Sequence, residues 1–222
     1  MLPCRAFRFT LRTLCAVACV VVLLALPGCF TPQVYPTRHD AVITLKKNDL
    51  ETAGIVFITP SAATGQEEEK QSVALKFADV LRHERPKIRV VMLSEALSAI
   101  NKAGLADAYR RMYDDYRYTG LFERDMLRKV GEITGARYIA HLKLQRFGQG
   151  EKERFGALGF RIIETRYASI RLFFQIWDGN DGSIAWEGMQ ETHYSQDTFA
   201  EKAVSLNKIV DHTARDLIGR LP

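Results

Sequence analysis

Cysteine is missing from the last 193 of the chain's 222 residues, because Cys4, Cys15, Cys19 and Cys29 all fall within the first 29. A disulfide scaffold, a cysteine zinc site and a thiol nucleophile are thereby excluded from the greater part of the protein. Acidic residues are missing before Asp40. No internal repeat, low-complexity tract or Pro/Gly/Ser linker divides the remainder, which excludes a repeat array and argues for one core. A Gly-Lys-Ser/Thr phosphate loop and a Gly-x-Ser-x-Gly nucleophile elbow are also missing. What is present, 47% apolar and 26% charged residues, is the balance of a folded globular chain rather than a disordered or multispanning one.

The first 29 residues form an address. Arg5, Arg8 and Arg12 precede an uncharged apolar run at 14–26. A helix of that length reaches about 20 Å at ~1.5 Å per residue, short of the ~30 Å hydrocarbon core. A basic stretch, a short apolar run and a small residue before the cut make a secretory leader. It closes in Leu26-Pro27-Gly28-Cys29, which resembles the bacterial lipobox Leu-x-Gly-Cys, whose cysteine receives diacylglycerol and becomes the new N-terminus. Pro27 stands where Ala, Ser or Thr is usual. Residues 1–28 are therefore expected to be a lipoprotein signal peptide, with lipidation at Cys29.

Losing the three leader arginines lowers the formal charge from +5 to +2, so the apparent basicity gives no support to a nucleic-acid partner. One acyl chain binds a membrane marginally and two or more anchor stably; a lipoprotein carries two or three. Phe30 follows the cysteine where inner-membrane retention favours Asp. By resemblance to that sorting rule the outer membrane is expected, with the protein facing the periplasm.

Residues 29–50 read as a lipidated tether with one short strand at 41–45, and 51–222 as a single α/β domain. The run Gly-Ile-Val-Phe-Ile-Thr at 54–59, ended by Pro60, suggests a buried strand. Val73, Phe77, Val80 and Leu81 recur at helical spacing within 67–83. Glu67, Glu68 and Glu69 sit in that helix's first turn, where they favour the dipole. A strand at 88–92 and a helix capped by Ser94 follow. Two more helices, at 105–118 and 122–134, are punctuated by Gly120 and Gly135.

Three strands come next. At 137–147, Tyr138, Ala140, Leu142 and Leu144 alternate with Arg137, His141, Lys143 and Gln145. The segments 167–178 and 183–195 read as a hairpin around Asn180-Asp181-Gly182, with the glycine in the left-handed position. That loop sets Ile176 opposite Trp186, Phe174 opposite Gly188, Gln175 opposite Glu187 and Arg171 opposite Glu191. Charges then pair on one side and aromatics collect on the other. A last helix, capped at Thr198 or Ser205, carries Leu206, Val210, Ala214, Leu217 and Leu221 on one face. The expected fold is α/β: a single mixed sheet with helices packed on one face.

The run Gly-Ala-Arg-Tyr-Ile-Ala-His-Leu-Lys-Leu-Gln-Arg-Phe from Gly135, the hairpin from Ala168 to Glu191 and the closing Ala-Arg-Asp-Leu-Ile-Gly-Arg-Leu-Pro resemble a group of uncharacterised proteobacterial lipoproteins. Their strand order resembles the TolB amino-terminal-domain fold, shared in outline with curli-secretion and penicillin-binding-protein-activator lipoproteins. The resemblance covers most of the mature chain and rests on structural motifs. It implies a periplasmic interaction module and brings no catalytic residue with it.

Candidate chemistry is sparse. His193, Ser195 and Asp197 alternate along one strand, but residues two apart stand ~6.6–7 Å from one another, too far for triad hydrogen bonds of ~2.6–3.2 Å. Asp178-Gly179-Asn180-Asp181-Gly182 has the wrong spacing for a calcium loop, and a hairpin turn accounts for each residue. No catalytic, metal or cofactor site is assigned. In the helix at 105–118, Leu105, Tyr109, Met112, Tyr113 and Tyr116 share a face. Such a stripe is ordinarily core, yet tyrosine also favours interfaces, where its hydroxyl stays wet. Tyr109, Tyr113 and Tyr116 are therefore candidate partner residues. Phe155 and Phe160, set among charges in the connection 148–159, are a second candidate patch; that connection reads as a mobile loop or short polar hairpin.

The functional expectation is a non-catalytic outer-membrane lipoprotein. Its partners are the membrane, through lipid on Cys29, and a periplasmic protein or a second copy, with no nucleic acid and no cofactor. Two alternatives stand beside it: a small-molecule binder or envelope enzyme with a cleft near residues 60–66, and a subunit of an envelope secretion assembly.

Overall fold

A computed structural model describes residues 33–62, 67–157, 160–198 and 205–222, in backbone alone at 62, 67–69, 149, 151–157, 160–164 and 196–198. The strands are β1 (Gln33–Val42), β2 (Ile55–Phe57), β3 (Ser61–Ala62), β4 (Val90–Val91), β5 (Tyr138–Ala157), β6 (Phe160–Asp178) and β7 (Ile184–Thr198). The helices are α1 (Asp49–Ala53), α2 (Glu67–Glu84), α3 (Leu93–Lys102), α4 (Ala106–Thr119), α5 (Arg124–Thr134) and α6 (Leu206–Gly219). All strands join one mixed sheet in the order β1-β7-β6-β5-β2-β4, with β3 added beside β5. The β1, β7, β6 and β5 pairings are antiparallel, and β5, β2 and β4 are parallel.

The β6–β7 register is the expected one: Ile176 faces Trp186, Phe174 faces Gly188, Gln175 faces Glu187 and Arg171 faces Glu191. Its turn explains why. Asp178 accepts a hydrogen bond from the Asn180 amide at 2.9 Å, and Asp181 one from the Ser183 amide at 2.8 Å. Gly182 has φ 76°, a left-handed conformation costly for any residue with a Cβ. The two carboxylates are thus engaged in the turn, and Asp178 is also held by Arg137 Nε at 3.0 Å.

Three expectations are corrected. Helices were expected on one face, and they cover both. α2 and α6 pack on the face bearing Ile55, Phe57, Leu142, Phe174 and Trp186. α3, α4 and α5 pack on the opposite face, around Val56, Ile58, Ile139 and Trp177. The physical reason lies in β2, whose consecutive residues Ile55, Val56 and Phe57 are all buried, so each face needs a cover. Second, much of the stretch expected to be tether belongs to the sheet: β1 runs the whole length of Gln33–Val42 along β7. Its residues are mostly exposed, so it carries none of the apolar alternation by which a strand is read from sequence. Third, the connection 148–159 is largely strand. β5 and β6 pair from Gly148 opposite Ser169 out to Ala157 opposite Phe160, a long ribbon rather than a short hairpin. Two smaller shifts concern caps. α3 opens at Leu93, with the Glu95 carboxylate accepting from the Met92 amide at 2.8 Å. Of the two caps weighed for the last helix, Ser205 is the one at the start of α6.

Phe174 is the hub of the larger core. Its ring lies 5.5 Å from Phe77, 6.3 Å from Phe57 and 5.5 Å from Trp186. Trp186 lies flat enough over the strand that a Cβ at Gly188 would come within 2.3 Å of its ring and 2.9 Å of Leu217. Gly188 is therefore required by close approach alone. Gly188→Ala should lower stability by about 1–3 kcal/mol, the usual range for overpacking. Trp186→Ala should cost about 3–5 kcal/mol. In the double variant the alanine at 188 no longer meets the ring, so urea midpoints should show its penalty shrinking; strictly additive losses would mean that the two positions do not touch.

Candidate functional site

The tyrosine stripe of α4 faces inward. Tyr109, Met112 and Tyr116 are buried and Tyr113 is half-buried, so the wet hydroxyls expected of a partner surface are not present there. They are used inside the domain, at the end of β2. Strand pairing stops before Pro60, and backbone groups that leave a sheet inside a protein need other partners. The Thr59 amide donates to Tyr109 Oη at 2.9 Å, and Tyr109 donates to Thr59 Oγ1 at 3.0 Å. The Tyr113 hydroxyl donates to the Thr59 carbonyl. Two tyrosines thus satisfy the amide, hydroxyl and carbonyl of one threonine. Tyr116 stacks on Phe122 with centroids 4.1 Å apart and meets the edge of His141 at 4.9 Å. Its phenol is pushed up to about 12, first by burial and then by the charge of Glu187.

Behind that helix lies a hydrogen-bonded chain that sequence reasoning missed. His141 is fully buried. Ser61 Oγ stands 3.0 Å from its Nε2, and Gln175 Oε1 3.4 Å from its Nδ1. The Gln175 amide donates to Glu187, which turns its oxygen toward the imidazole. The network then assigns the tautomer: Nδ1 carries the proton and Nε2 accepts from Ser61. The members are 80, 34 and 12 residues apart in pairs, so no local motif announces them. His141 was read as part of a polar outer face. It is buried because α4 covers that face.

A serine donating to a neutral imidazole resembles the start of a nucleophilic site, but the magnitudes decide otherwise. Burial, reinforced by the charge of Lys143 and opposed by the Gln175 bond, pushes the imidazole down to about 3. An effective general base titrates near the working pH. The group behind it is an uncharged amide, where a triad places a carboxylate to stabilise the imidazolium. The chain is a fixed polar floor.

Ser61, at one end of that chain, lines a cavity of about 420 Å³ together with Thr59 and Pro60, with Tyr113 and Tyr116 on its wall. The cleft expected near residues 60–66 is thus present at 59–61; residues 63–66 lie outside the described set. Phe155 and Phe160 pair with Ile163 and Ala157 along the β5–β6 ribbon, and their side chains lie outside the described residues, as does Cys29. His193 is exposed on β7 beside Glu191, at 3.4 Å.

The buried imidazole makes a pH prediction with a definite sign. Between about pH 3 and 6.5 the unfolded chain binds a proton at His141 that the folded chain refuses, so stability falls as the pH drops through that window and is unaffected above it. From pH 6.5 to about pH 5 the loss should be on the order of 2 kcal/mol, at about 1.36 kcal/mol per unit. Urea unfolding of His141→Gln should show a shallower dependence over that interval; identical slopes would mean that the imidazole does not titrate as its burial requires.

No protein-family model and no curated protein matches this chain. Among solved structures, it is similar to the PelC dodecamer of Paraburkholderia phytofirmans, with 10% identity, 86% of this chain and 97% of that chain covered, and a TM-score of 0.44. It is similar to lipoprotein GNA1162 of Neisseria meningitidis, with 13% identity, 75% and 98% covered, and a TM-score of 0.42. It is also similar to the C-terminal domain of LpoB from Salmonella enterica, with 13% identity, 67% and 84% covered, and a TM-score of 0.34. One of these structures, GNA1162, is named as a lipoprotein, and its identity to this chain is 13%.

Proposed function

We propose that this protein is a lipoprotein anchored in the outer membrane through Cys29, whose α/β domain faces the periplasm as a non-catalytic interaction module for a protein or a second copy. The observation that supports it is the spacing of the lipobox from the fold. The apolar run ends in Leu26-Pro27-Gly28-Cys29, and β1 begins at Gln33. Four residue steps reach at most about 14 Å at ~3.3–3.6 Å per residue. A lipid on Cys29 therefore holds the outermost strand of the sheet beside the bilayer surface, which orients the domain. Among the described residues no helix is long and apolar enough to cross a membrane. The neutral imidazole and the uncharged Gln175 behind it support the non-catalytic half of the reading.

The anchor is tested directly. In cells fed labelled palmitate, the wild-type chain should take up label and sediment with outer membranes, and Cys29→Ser should remain unlabelled. Equal label in the variant removes the anchor from Cys29. Label that travels with inner membranes instead overturns the location and leaves the lipidation standing.

A further inference from the structure

We propose that the cavity beside Thr59 binds a small ring-bearing organic anion, an occupant that the anchored interaction module does not by itself require. The charge of the lining carries the argument. Its described lining includes Lys70, Arg117 and Lys143 and, among the described residues, no Asp or Glu. Seven arginines elsewhere, Arg38, Arg110, Arg128, Arg137, Arg171, Arg215 and Arg220, each hold a carboxylate. Among the described residues neither Arg117 nor Lys143 does, and both are exposed. Cations gathered at the mouth of a concavity raise the local concentration of anions.

The walls specify the rest of the ligand. A volume of about 420 Å³ lies in the range of small-molecule sites, which combine apolar or aromatic walls with a few placed polar groups. Tyr113 and Tyr116 supply the aromatic surface, and Lys143 Nζ stands 6.0 Å from the centre of the Tyr116 ring. An anionic group held by that ammonium brings an attached ring against the tyrosines. Ser61 adds no charge of its own. Ser61 gives its proton to His141 and turns acceptor lone pairs toward the cavity, where a ligand hydroxyl would be bound. Phosphate alone would leave the aromatic wall unused, whereas a flat acid or sulfonate uses wall and rim together.

The opposing charge is known. Glu187 lies behind Tyr116, close enough to raise its phenol, and Glu67, Glu68 and Glu69 open α2, the last of them immediately before Lys70.

The probe is pyranine, a flat trisulfonated pyrene, titrated by fluorescence anisotropy against the full-length lipidated protein in nonionic detergent. Anisotropy should rise saturably and be reversed by sodium chloride. Arg117→Gln and Lys143→Gln should each weaken binding about tenfold, as expected for losing one charged contact. Both side chains are exposed, so both variants should retain the wild-type circular dichroism. Lys102→Gln, at the end of α3 and outside the lining, removes the same charge and should change affinity less than about twofold. Absence of binding by the wild type overturns the proposal. An equal loss in Lys102→Gln overturns it too, since binding would then follow net charge. Neither result touches the reading of Cys29, because the titration reports on the cavity whether or not the anchor lies in the outer membrane.

Discussion

The register of the β6–β7 hairpin is the constraint on which the rest of the domain depends. The turn from Asp178 to Ser183 is closed by its own carboxylates and by Gly182 at φ 76°. Once it forms, side-chain placement follows along both strands with a period of two. Trp186 comes to Ile176, and Gly188 leaves room beneath the indole beside Phe174. On the other face Gln175 meets Glu187 and Arg171 meets Glu191. A slip by one residue would carry Glu187 into the α2–α6 core and take Gln175 away from His141. The core and the polar floor of the cavity are two consequences of the same turn. Arg137, at the head of β5, grips Asp178 and passes that alignment to the next strand.

From β5 inward the sheet changes character. The antiparallel half is wide, and its second face carries ion pairs such as Arg171–Glu191 in partial contact with water. The parallel half, β5-β2-β4, is narrow and covered on both sides. The cavity lies at the boundary. β2 ends at Phe57, α4 reaches over the residues after it to satisfy Thr59, and Lys143 and Gln145, farther along β5, are exposed. A site appears where the cover stops: one wall is helix, the floor is strand, and the rim is the first row of solvated cations.

The local elements were largely legible because their signals are local. The helix around Val73, Phe77 and Leu81 shows its period directly, the turn at Asn180-Asp181-Gly182 shows its chemistry, and the opposite pairs Phe174–Gly188 and Ile176–Trp186 follow by counting. The two-faced cover was legible in part. An unbroken run such as Ile55-Val56-Phe57 already requires apolar neighbours above and below, yet nothing in it says which helix goes where. β1 was read short because an edge strand that buries little has no hydrophobic alternation to show. The ribbon beyond Gly148 escaped for the same reason, since backbone pairing without burial leaves no mark in composition.

The sequence by itself determined the absence of thiol chemistry after Cys29, the α/β class, and the pairing of the last two strands. Each is written in adjacent residues or in a fixed short period. Only the tertiary structure decided the fate of the tyrosines and of His141. Whether Tyr109 and Tyr113 point to water or to Thr59 depends on where β2 ends in space, 50 and 54 residues away along the chain. Whether an imidazole is solvated, or pressed dry between α4 and the sheet with Ser61 and Gln175 as its partners, depends on which face a helix covers. Burial is a property of the packed whole, and it sets the protonation of His141 and the use of the tyrosine hydroxyls.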